Sequence, residues 1–154
     1  MASINRWLVV PIRKRYRIKS DPQRHKIYTL ERTMIGQSVN TRCTRDHLRS
    51  ILTHACRKEK IPAPPLKFVH KPDEKIFGWT VAPPLEIILN SGFHGCNTFT
   101  LLHELSHYIA DMRYEGHHDH GPEFVKTYMG LLDRYRIIPA YAFKVMLEKH
   151  GIEY

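Results

Sequence analysis

The chain has 154 residues, 42% of them apolar and 25% charged, which is enough for one hydrophobic core under a well-solvated surface. No apolar run approaches the roughly 20 residues of a membrane span, and Trp7–Val10, cut off by Pro11, is too short for a secretion signal. Three cysteines in no paired spacing exclude a disulfide framework and a four-cysteine zinc ribbon, so a soluble, cytoplasmic protein with no membrane association is expected.

Two quantities depart from the ordinary: a net charge of +9 and eleven histidines. Residues 1–20 hold six cations and no acid, contributing +6, and residues 21–154 contribute only +3. From Arg13 through Arg15 and Arg17 to Lys19 every odd position is basic, so an extended chain would line these four cations along one side. With Trp7 and Tyr16 nearby, such an arm could bind a phosphate backbone and stack on bases; an arm that only solubilises has the same composition. The division is therefore a basic arm over 1–20 and a domain over 21–154.

Ser20-Asp21-Pro22 predicts a helix start, with the helix running to about Met34 and burying Ile27, Leu30 and Met34. Thr41 or Thr44 opens a second helix to about Lys60, burying Leu48, Ile51, Leu52 and Ala55, and the proline-rich Ile61–Pro65 stops it. Three strands are expected at Leu66–His70, Ile76–Ala82 and Leu85–Asn90, with a turn at Lys71–Glu74. Helices follow over about 97–114, 122–135 and 139–150, so the fold class is α+β. In Leu85–Asn90, Leu85, Ile87 and Leu89 share a face; this is the expected edge strand for holding an extended peptide.

The chemistry sits in His103-Glu104-Leu105-Ser106-His107, an H-E-x-x-H pattern on a helix. Histidines four apart are one turn and about 40° apart around the axis, so both rings reach one point beside the helix, where a Zn²⁺ ion would accept a nitrogen from each. Glu104 is placed to take a proton from a metal-activated water and hand it to a leaving amine. Leu101, Leu105, Tyr108 and Met112 repeat at helical spacing, so one face of this helix is expected to be buried.

An open catalytic zinc needs a third protein ligand. The spacing with a third histidine six residues after the second fails, because Ala110 and Arg113 stand where glycine and histidine are required. His120, followed by Gly121 and by Pro122 at a helix start, is the best placed; His117, His118 and Glu123 are the alternatives. Asp111 is a candidate to orient a ligand, Tyr135 and Tyr141 to face an oxyanion, and His94 to line the cleft. Cys43, Cys56 and Cys96 are expected to be small, buried or half-buried residues.

His103-Glu104-Leu105-Ser106-His107 with His120-Gly121-Pro122-Glu123-Phe124 resembles the SprT-like (Spartan and Wss-type) zinc metalloproteases over residues 98–128. That resemblance implies His103, His107 and His120 as zinc ligands and Glu104 as catalytic base. Asp21–Arg32 is similar to the start of a small metallohydrolase family of actinobacteria and their phages, which also carries an H-E-x-x-H helix, a His-Gly-Pro segment and a last helix like Pro139–Phe143. The expected function is zinc-dependent hydrolysis of peptide bonds, with a protein or peptide substrate and a nucleic-acid contact through the arm. The alternatives are a hydrolase of a small amide or modified nucleic acid, and a nucleic-acid-binding module with a structural zinc.

Overall fold

The computed structural model describes residues 21–35, 42–75, 77–81, 85–92 and 95–154. The basic arm with Arg13, Arg15, Arg17 and Lys19 lies outside the described residues, as does His94. Five helices and three strands follow in order: α1 (Arg24–Ile35), α2 (Arg45–Glu59), β1 (Leu66–Val69), β2 (Gly78–Val81), β3 (Glu86–Asn90), α3 (Thr98–Arg113), α4 (Pro122–Arg134) and α5 (Ala140–Lys149). This is an α+β domain with a small mixed sheet.

Local chemistry sets most of the boundaries. Thr44, rather than Thr41, caps α2, its Oγ1 accepting the His47 N–H at 3.2 Å. The helix ends where Lys60 turns left-handed, at φ 56°, just before the prolines. Asn97 caps α3, its side chain accepting the Thr100 N–H at 2.7 Å, and Pro122 opens α4. Buried Asn90 fixes the turn after β1 by exchanging hydrogen bonds with the Lys71 backbone, 3.0 Å as acceptor and 2.9 Å as donor.

The strand order is β1-β3-β2, with β3 parallel to β1 and antiparallel to β2. This corrects the edge-strand expectation for Leu85–Asn90. β3 is central and its main chain is paired on both sides, so it cannot receive a peptide strand. Ile87 and Leu89 are fully buried core residues, and Leu85 packs against that core from the turn ahead of the strand. No residue of β3 is exposed, as expected of an interior strand covered on both faces.

α3 also differs from a helix with one buried face: every residue from Phe99 to Ser106 is buried. It packs against β2 and β3 as well as α2 and α4, which leaves it little solvent. Tyr108 Oη, donating to the Pro62 carbonyl at 2.8 Å, pins the proline connector to it. Among the described residues, no helix is long and apolar enough to cross a membrane.

Candidate metal centre

The one-turn offset of His103 and His107 on α3 brings their Nε2 atoms to 3.2 Å. His120, in the loop just ahead of α4, places its Nε2 3.4 Å from that of His103. Ligand atoms of all three lie within 4.8 Å of one another, and no fourth histidine, cysteine or carboxylate joins the group among the described residues. Two nitrogens each about 2.05 Å from a tetrahedral zinc ion stand about 3.3 Å apart, so the observed spacings are those of a shared zinc.

The second nitrogen of each ring strengthens this fit. His103 Nδ1 donates to Glu31 Oε1 at 2.5 Å, and His120 Nδ1 donates to Asp21 Oδ2 at 2.6 Å. The His107 ring donates to the backbone of Asp119. With the proton of His103 and His120 committed to a carboxylate, each Nε2 keeps a lone pair facing the other rings. Three acceptors this close repel one another unless a cation sits between them. Burial also pushes the His107 and His120 pKa values down, with repulsion from His103 whenever that ring is protonated as the next cause, and thereby favours the neutral, ligating form. At His103 burial acts in the same direction but is outweighed by Glu31, Glu104 and Asp21, leaving its pKa raised.

Aromatic rings close the surroundings. Phe124 lies 4.4 Å from His107 between ring centroids, Tyr128 5.5 Å from His103, and Tyr28 stacks on His103 at 6.0 Å while meeting the edge of His120 at 5.3 Å. Such walls exclude water and strengthen the electrostatics between the groups they enclose.

Glu104 points its carboxyl toward β2. Thr80 Oγ1 stands 3.0 Å from Glu104 Oε2 and 3.0 Å from the Glu104 carbonyl, within donating distance of both. Gly78 permits this close approach, since a Cβ there would meet Ile88 O at 3.0 Å and Glu104 Cγ at 3.2 Å. Burial raises the Glu104 pKa above the usual carboxylate range, with His103 and Thr80 only partly offsetting it. A carboxylate shifted toward neutral pH is the form that accepts and returns a proton efficiently.

The alternative third ligands stand outside the cluster. His117 faces Asp111 across 3.4 Å and the Tyr114 carbonyl across 3.1 Å. His118 is exposed, and the Glu123 carboxylate lies back over Gly121. Asp111 therefore serves His117, and the carboxylates on the ligands are Glu31 and Asp21. Tyr135 bonds His54 on α2 at 2.8 Å and Tyr141 is 75% exposed, so the half-buried phenol beside the cluster is Tyr28. Cys56 and Cys96 are buried and Cys43 half-buried, none within the cluster. Asp21, Tyr28 and Glu31 were the residues whose roles sequence reasoning missed. All three lie in or just ahead of α1, far in sequence from the histidines they serve, so no local pattern marks them.

The His103, Glu104, His107 and His120 arrangement is that of an H-E-x-x-H-class zinc metallohydrolase active site, carried on an α+β domain. Comparison of the chain with known protein families, with curated proteins and with solved structures finds no match, so the class rests on the site itself.

Proposed function

We propose that the protein is a zinc metallopeptidase of SprT-like type that cleaves peptide bonds in an extended protein segment. The observation that carries the reading is the three-histidine cluster, with no fourth ligand among the described residues, and a buried carboxylate on the same helix turn as two of its rings. Zinc held there would polarise the scissile carbonyl and lower the pKa of a water toward about 7. Glu104 takes the proton as the water oxygen adds to the carbonyl carbon, and returns it to the amine nitrogen as the C–N bond breaks. Thr80 holds the Glu104 carboxyl in place. Tyr28, hydrogen-bonded to Arg24, supplies a phenol donor beside the cluster for the developing oxyanion.

Substrate would pair with the outer edge of β2 rather than with β3. β2 is an edge strand of the described sheet, and its Thr80 already touches Glu104, so a peptide laid along Gly78–Val81 would bring its carbonyls to the base. The basic segment Arg13–Lys19 supports substrates associated with nucleic acid.

The test is hydrolysis of denatured and of DNA-bound protein, run with and without DNA, for the wild type and Glu104→Gln. Cleavage that Glu104→Gln abolishes while keeping its zinc supports the reading. Hydrolysis confined to small amides, with denatured protein untouched, would favour the non-proteolytic alternative.

A further inference from the structure

One buried side chain near the metal centre has no part in the chemistry above. Gln23, at the start of α1, is only 6% exposed and uses both ends of its amide. Nε2 donates to the His120 carbonyl at 3.0 Å and to the Glu153 carbonyl at 3.2 Å, while Oε1 accepts the Glu153 N–H at 2.5 Å. Asp21, two residues earlier, holds the ring of the same His120. The start of α1 thus fixes His120 by its backbone and by its imidazole, and the backbone clamp also holds a segment 130 residues away in sequence.

That segment is independently shaped. Just past the end of α5 Gly151 takes a left-handed φ of +60°, and the chain then turns so that Ile152 enters the core at 4% exposure. Its backbone bonds, Ile152 N–H to the Leu147 carbonyl at 3.0 Å and Gly151 N–H to the Glu148 carbonyl at 3.1 Å, set where Glu153 meets Gln23. A buried amide that loses any of these partners is left unsatisfied, so the His120 and Glu153 contacts form or fail together.

We propose that Gln23 is a positioning residue for the metal centre, coupling the seating of residues 151–153 to the placement of the ligand His120. The proposal rests on His120 being a metal ligand. Metal affinity and docking of the 151–153 segment then rise and fall together, because linkage between two equilibria is reciprocal. Whatever displaces that segment weakens the metal site from a distance.

The Glu153 amide, donated directly to Gln23, is the reporter. Its hydrogen exchange is followed by NMR in the wild-type protein with and without one equivalent of zinc. Zinc affinity is measured by competition with a chromophoric chelator for the wild type, Gln23→Met, Gly151→Ala and the double variant. Zinc is expected to slow Glu153 exchange by about tenfold in the wild type, and Gln23→Met to bind zinc about tenfold more weakly. Gly151→Ala, which strains a turn that supplies no ligand, is expected to weaken zinc about threefold alone and to have no further effect beside Gln23→Met. Glu153 exchange indifferent to zinc in the wild type overturns the coupling even if Gln23→Met fails to fold, as does equal affinity in the wild type and Gln23→Met. A wild type that binds no zinc overturns the metal centre itself, which is a separate failure.

Discussion

α3 and α1 meet at the same imidazoles, and they do different work there. α3 supplies two of the rings and Glu104 from a single turn, so backbone geometry alone brings them together. α1 and the three residues before it supply no ligand; Asp21 and Glu31 accept the far-side protons of His120 and His103 from 99 and 72 residues away in sequence. The first arrangement is local and forms whenever the helix does. The second exists only once α1 has docked, so it sets how well the site is organised and not whether the ligands are present.

This contrast predicts large losses from the base and the three ligands and graded ones from the α1 side. Glu104→Gln should lower peptide hydrolysis by about 10³-fold or more while retaining zinc; loss of zinc with it would make Glu104 a ligand instead. His107→Ala and His120→Ala should each fail to hold stoichiometric zinc after dialysis against a weak chelator. Unchanged zinc in His120→Ala would remove it from the ligand set.

Effects from the α1 side should be smaller. Glu31→Gln and Asp21→Asn should each weaken zinc about 10- to 100-fold, read by chelator competition, with the three histidines intact. Losses as complete as those of the ligand variants would erase the distinction between the two helices. Thr80→Val should lower kcat about tenfold at nearly constant KM, and Thr80→Ser should recover most of it.

The smallest effect is expected far from the site, at Glu59 of α2. Its carboxylate accepts from Arg134 at 2.5 Å and from Arg113 at 2.6 Å, tying α2 to α4 and α3. Burial pushes its pKa up, but the two guanidinium groups outweigh burial and leave it lowered. A folded pKa below the unfolded one contributes stability above the usual carboxylate range and loses it as pH falls through the folded pKa. Glu59→Gln should therefore cost about 1 kcal/mol in urea unfolding at pH 7, and progressively less as the medium is acidified below pH 4. An equal cost at both pH values would point to packing rather than charge.

The two sides of the centre were also unequally legible. His103, Glu104 and His107 are a one-turn pattern, and His120 was marked by the Gly-Pro helix start after it. The helices were readable too, because caps such as Thr44 and Asn97 and breakers such as Pro62 act within a few residues. Asp21 read as a helix start because local pattern carries no trace of a partner 99 residues on. Glu31 likewise carries no local mark of its partner His103, 72 residues on. β3 was misplaced for a related reason: alternation over Leu85–Asn90 fits an edge or an interior strand, and only pairing with β1 and β2 decides.

X-ray absorption on the zinc-loaded protein tests the central claim most directly. One zinc per chain with three imidazole nitrogens at about 2.0 Å and one oxygen is the predicted result, an open site able to activate water. A fourth imidazole or a thiolate in the shell would close the site and contradict its role as a hydrolytic centre.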